Sequence, residues 1–181
     1  VKGTGEVRQV AADETVPFAT VHFNDATLPS QTIENLSKTA LEAMLLKQQP
    51  LKNLFFAVKI TGRFKRMHTR AVEAQVEPYP NLTAATRVQP EFNAEAVTGT
   101  LVGYYAPALY QGAAVAGYHV HFLNEQHDFG GHVLDYEVAH AQLTVQPFTT
   151  FEQHFPSDNA DFLQSDFDLK AINADIEEAE H

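Results

Sequence analysis

The sequence predicts an α+β fold in two lobes: a mixed-sheet N-terminal lobe over residues 1–79 and a mainly antiparallel β lobe over residues 80–181. Three observations lead there. An apolar stripe at helical spacing sits between strand-like runs in the first third. The stretch Glu77-Pro78-Tyr79-Pro80 suits neither regular helix nor central strand, because proline lacks an N–H and fixes its own backbone. Beyond that stretch, runs rich in β-branched and aromatic residues follow one another almost to the end.

Val16 to Phe23 reads as the first strand. Pro29 and Ser30 then announce a helix, with Ser30 as N-cap and Ile33, Leu36, Ala40, Met44 and Leu45 on one face. It should stop before Pro50, since the residue ahead of a proline disfavours the α region. Leu54 to Ile60 and Phe64 to Val72 read as strands, with Gly62 as a turn or bulge between them. After residue 80 the strand signals are Gly99 to Tyr105, Val115 to Leu123, His132 to Val138 and Leu143 to Phe148. Asp168 to Glu180 carries a weak helical spacing through Leu169, Ile172 and Ile176.

Composition narrows the chemistry. No cysteine is present, so disulfides, thiolate zinc sites and cysteine nucleophiles are excluded, and any metal must take His, Asp or Glu. That usage fits a cytoplasmic protein. The net charge of -11 argues against a nucleic-acid partner, which needs clustered Lys and Arg. No apolar run reaches the roughly 18 residues a membrane span requires, and no signal peptide is visible. From Phe151 onward acidic residues accumulate and only Lys170 opposes them, a pattern that ordinarily marks a solubilising tail.

The strongest signal is Gly117-Tyr118-His119-Val120-His121-Phe122. On a strand, residues two apart share a face, so His119 and His121 stand side by side. A polar segment ending in Gly130 and Gly131 follows, and His132 opens the next apolar run. If the two strands form a hairpin centred between Gln126 and His127, His121 lies opposite His132. Opposed residues share a face with Cβ atoms about 4.5–5.5 Å apart, so three imidazoles converge. Three neutral nitrogen ligands and no fourth describe an open, catalytic zinc site. The other histidines, His22, His68, His127, His140, His154 and His181, show no matching spacing. Tyr104, Tyr105 and Phe122 read as core.

Two chemistries compete for such a site. His119-x-His121 with Glu125 four residues on resembles the first motif of the cupins, but the second cupin motif is missing and Glu125 falls in the turn. Other blocks resemble the acetolactate decarboxylase family. They are Thr98-Gly-Thr-Leu-Val-Gly103, Gly117 to Phe122, and Phe129-Gly-Gly-His-Val-Leu-Asp135. Thr69-Arg70, Pro78-Tyr-Pro80 and Val88-Gln-Pro-Glu-Phe92 also match, each in its place along the chain.

The resemblance implies that His119, His121 and His132 bind one metal ion, usually zinc. It implies an arginine at Arg70 and two catalytic glutamates. The first matches Glu6 in the Gly5-Glu6 pair. The second lies near the C-terminus, with Glu180 favoured over Glu177 and Glu178. Family members carry several dozen residues ahead of the Gly-Glu pair, including strands of the first sheet, so the 1–79 lobe is expected to lack upstream strands. The implied reaction converts a small 2-hydroxy-3-oxo acid, 2-acetolactate, to (R)-acetoin and CO2, and the implied assembly is a homodimer. A non-enzymatic metabolite-binding β domain with a structural metal is the remaining alternative.

Overall fold

The computed structural model describes residues 1–14, 19–48, 51–72, 89–166 and 168. In chain order the elements are β1 (Gln31–Ser37), α1 (Lys38–Gln48), β2 (Phe56–Arg70), β3 (Glu91–Ala106), a 3-10 turn at Ala108–Tyr110, β4 (Gly117–Asn124), β5 (Gly130–Pro147) and α2 (Ala160–Gln164). The fold is mostly antiparallel β with little helix. Five strands form one sheet in the order β1-β5-β2-β3-β4, and β4 also pairs with the start of β5. That last pairing closes β2, β3, β4 and β5 on themselves.

β5 makes the closure possible. Its 18 residues present one edge to β2 along most of their length. The other edge meets β4 through Gly130–His132 and β1 from Glu137 onward. Inward side chains of these strands, Phe56, Ile60, Phe64, Met67, Leu101, Val120, Phe122, Val133 and Val138, form the core. Phe64 sits at its centre, fully buried and edge-on to Phe122 at 5.2 Å between ring centroids. α1 adds Leu41 and Leu45 to the same core.

Several sequence-based expectations change. The helix expected from Ser30 is a strand to Ser37 and a helix only afterwards. The Ala40 N–H donates to Ser37 Oγ at 3.3 Å, so Ser37, not Ser30, caps it. Asn35, in the left-handed region at φ 51, interrupts the strand's alternation. Ile33 and Leu36, three apart, therefore both pack on the core and imitate helical spacing.

Residues 19–23 of the expected first strand are not strand, and Val21 and Phe23 are almost fully exposed; 15–18 lie outside the described residues. Gly62 is not a turn. It lies inside a continuous β2, where a Cβ would meet the Ala141 backbone at 2.6 Å, so it permits β5 to cross close by. The two strands expected at His132–Val138 and Leu143–Phe148 are one, β5.

The expected lobe boundary at residues 79 and 80 lies outside the described residues. The strands on either side of it, β2 and β3, pair from Phe56↔Tyr105 to Arg70↔Glu91, within one sheet. The expected helix over 168–180 also lies outside the described residues, apart from Asp168.

Candidate metal centre

The site forms on the outer face of the closed sheet, where β4 meets β5. β4 alternates: Val120 and Phe122 point into the core, so His119 and His121 point out. The register places His121 opposite His132, Phe122 opposite Gly131 and Leu123 opposite Gly130. This is the hairpin centred between Gln126 and His127 that the spacing predicts. Gly131 stands where β5 squeezes past β2. Its φ is 141, and a Cβ there would meet the Arg70 carbonyl oxygen at 2.5 Å.

The three imidazoles converge. His119 Nε2 and His121 Nε2 are 3.1 Å apart. Ring centroids lie 4.8 Å apart for His119–His132 and 5.3 Å for His121–His132. One nitrogen from each ring lies within 4.8 Å of the others. Zinc–nitrogen bonds of about 2.0–2.1 Å in a tetrahedron set ligand nitrogens about 3.3 Å apart, so small ring rotations suffice to hold one ion.

Electrostatics favour the same use. Crowding by protein, then the neighbouring His119, pushes His121 down to about 4. Burial, then the Arg70 guanidinium, pushes His132 down to about 3. Both are neutral at pH 7, the form a metal requires, so binding displaces no proton from them. Neutral ligands also leave a bound cation its full charge.

Arg70 reaches this face through a register shift. From Arg66 to His68, β2 pairs with β5 in one frame, ending at His68↔Asp135. Between His68 and Thr69 the frame moves by one residue, skipping Leu134, and Arg70 comes to lie opposite His132. A slip of one residue exchanges the faces of a strand, so without this irregularity Arg70 would oppose Val133. The skipped Leu134 carbonyl accepts from Lys38 Nζ at 3.0 Å. Arg70, His132 and His121 thus form one row across β2, β5 and β4.

The remaining expectations divide. Glu6 does not join the histidines' cluster of ligand atoms. It is exposed and ion-paired with Lys2 at 2.8 Å, an arrangement that holds its carboxyl below the usual range. Gly5 beside it packs against the Phe92 ring, and Phe92 pairs with Thr69, so this turn rests on the end of the sheet that carries Arg70. Glu177, Glu178 and Glu180 lie outside the described residues. Glu125 does not join the cluster either, which removes the cupin ligand set.

Other histidines are engaged elsewhere: His68 with Glu91, His140 with Glu34 and His154 with Glu152, each at 2.8 Å. His22 meets the Tyr104 hydroxyl at 2.9 Å. Tyr105 and Phe122 are core, as expected. Sequence reasoning missed Lys38 and Glu42. With Gly117, Tyr118 and His119 they line a cleft of ≈ 200 Å³ beside the histidines. Burial raises the Glu42 carboxyl and the Lys38 charge opposes the rise. Their four-residue spacing on α1 is a local sign that both face the same way.

Fold and site together define a closed antiparallel β protein carrying three converging histidines. Residues 1–169 match the family model described as alpha-acetolactate decarboxylase. The alpha-acetolactate decarboxylase of Bacillus licheniformis is 32% identical over 180 residues, covering 99% of this chain and 71% of that protein. That of Methylococcus capsulatus is 36% identical, covering 100% and 69%. A crystal structure of a Staphylococcus aureus protein described as similar to alpha-acetolactate decarboxylase superposes with a TM-score of 0.93 at 38% identity, over 98% of this chain and 76% of that one. The Bacillus subtilis alpha-acetolactate decarboxylase superposes with a TM-score of 0.91 at 34% identity, with the same coverage. The chain belongs to the alpha-acetolactate decarboxylase family.

Proposed function

We propose that this protein is a decarboxylase, a lyase that converts 2-acetolactate to acetoin and CO2. The observation that carries the reading is the convergence of His119, His121 and His132 in a member of this family. We further read the ion as zinc, one per chain, because three neutral imidazoles with no cysteine suit it. Bound there, the ion would supply Lewis acidity, stabilising the negative charge that develops on the substrate.

The chain's own residues account for the rest. Arg70, opposite His132, is suited to hold the substrate carboxylate with two parallel hydrogen bonds and so orient the bond that breaks. Loss of CO2 leaves an electron pair, which the ketone takes up as an enediolate. That carbanion equivalent then needs one proton on carbon. Glu180 is our candidate donor, with Glu177 and Glu178 as neighbours able to replace it, and Glu6 is the second acid-base group. Proton addition to one face gives (R)-acetoin. The apolar spacing of Leu169, Ile172 and Ile176 supports a tail that docks and shields the enediolate from water.

Turnover in two variants tests this assignment. The parent protein is expected to release one acetoin and one CO2 per acetolactate consumed. Glu180→Gln and Glu6→Gln should keep their metal and lose most of that activity. Full activity in Glu180→Gln would move the proton donor to Glu177 or Glu178, and full activity in both variants would end the two-glutamate reading.

Three further attributes belong to the same proposal. Family resemblance supports a homodimer. The absence of cysteine supports a cytoplasmic setting, and among the described residues no helix is long and apolar enough to cross a membrane. A division into an N-terminal lobe over residues 1–79 and a C-terminal lobe over 80–181 is kept as part of the proposal, its boundary falling in sequence between the paired strands β2 and β3.

A further inference from the structure

Among the described residues two polar side chains are buried, Thr69 at 0% exposure and Asn124 at 6%. Burying a polar group is costly unless it is hydrogen-bonded, so each such side chain has a geometry to enforce. Both enforce the same one. Asn124 closes the loop between β4 and β5. Its Oδ1 accepts the N–H groups of Asp128 at 3.0 Å and Phe129 at 2.9 Å. Its Nδ2 donates to Asp128 Oδ1 at 2.5 Å and to Gln126 Oε1 at 3.3 Å. Its backbone N–H donates to the Phe129 carbonyl at 2.9 Å.

Thr69 works from the other side. Its hydroxyl donates to the Gly130 carbonyl at 3.2 Å, tying β2 to the first residue of β5. Asn124 stands three residues after His121, Gly130 two residues before His132, and Thr69 directly before Arg70. The loop that sets which residue faces His121 is therefore held at both ends by buried polar bonds. In this five-residue loop, with His127 at φ 57, Phe129 alone packs on the core, edge-on to Phe122 at 6.1 Å, and the other four residues are polar and exposed, so the Asn124 and Thr69 bonds carry most of the choice of register.

We propose that Asn124 and Thr69 are positioning residues of the metal centre, fixing the loop and Gly130 so that His132 meets His119 and His121 in binding geometry. The proposal rests on the three histidines holding a metal and is independent of the substrate.

Cobalt(II) in place of zinc reports the geometry directly, because its visible d–d bands depend on ligand arrangement. The informative variants are Asn124→Ala, Thr69→Val, and the exchange Asn124→Asp with Asp128→Asn, which keeps the acceptor for the two loop N–H groups and restores the 124–128 side-chain bond with donor and acceptor reversed, the Gln126 amide turning to donate instead of accept. Each single change is expected to weaken cobalt binding roughly tenfold or more, as loss of groups that orient ligands does, and to alter the bands. The exchange should recover both. Folded single variants with parental affinity and spectrum, whatever their melting temperatures, would overturn the proposal. Should Asn124→Ala fail to fold, Asp128→Ala replaces it: that side chain is exposed, and removing it takes one acceptor from Asn124. Parental affinity in Asp128→Ala would then remove Asn124 from the assignment. Failure of the parent protein to bind cobalt would instead sink the three-histidine site itself.

Discussion

His132→Ala is expected to abolish stoichiometric metal binding and, with it, acetoin formation. His132 is the ligand that depends on the hairpin: His119 and His121 lie together on β4, but only the return strand brings the third nitrogen within 4.8 Å. Two imidazoles on adjacent outward positions do not enclose an ion. A Lewis acid supplies several kcal/mol of charge stabilisation, so losing it lowers turnover by roughly a hundredfold or more. The fold should survive. His132 points away from the core, and its neighbours Val133 and Gly131 retain their places against β2. Elemental analysis beside an acetoin assay checks both halves. A His132→Ala protein with one tightly held ion would remove this residue from the ligand set.

The second large effect is expected at Arg70. Arg70→Lys keeps the charge but replaces a planar fork with a point charge, and so cannot make two parallel bonds to one carboxylate. A charged hydrogen bond is worth about 1.5–3 kcal/mol, and each 1.36 kcal/mol is tenfold in rate, so kcat/KM should fall roughly ten- to a hundredfold. Metal content should not change, because the histidines keep their register with β4. Parental kcat/KM in this variant would show that the carboxylate is held elsewhere. The cleft lined by Lys38 is then the next place to look.

How much of this was legible in the sequence follows from how local each interaction is. The histidine hairpin was legible because its determinants lie within sixteen residues, and strand alternation plus a turn centre settle the geometry. Arg70 came from resemblance alone. Its place beside His132 depends on a one-residue shift between β2 and β5, strands more than sixty residues apart in sequence. No periodicity encodes that shift. The closure of the sheet was hidden likewise, because β5 exchanges β4 for β1 along a single edge, and the breaks in its alternation, between Val133 and Tyr136 and between Val138 and Ala141, do not say which strand lies alongside. The first helix was misread for a definite reason. A left-handed Asn35 let Ile33 and Leu36 share a face, and that spacing is the one that signals a helix. Lys38 escaped notice because its role is to bond a carbonyl left over by the register shift, a backbone event that side-chain patterns do not record.

The central claim is that a metal held by His119, His121 and His132 carries the decarboxylation. The most direct measurement is turnover of acetolactate by protein stripped with a chelator, followed by stepwise return of zinc. The stripped protein should stay folded and inert, and acetoin formation should rise in proportion to added zinc and level off at one ion per chain. Undiminished turnover by the stripped protein, or a plateau requiring two ions, would contradict it.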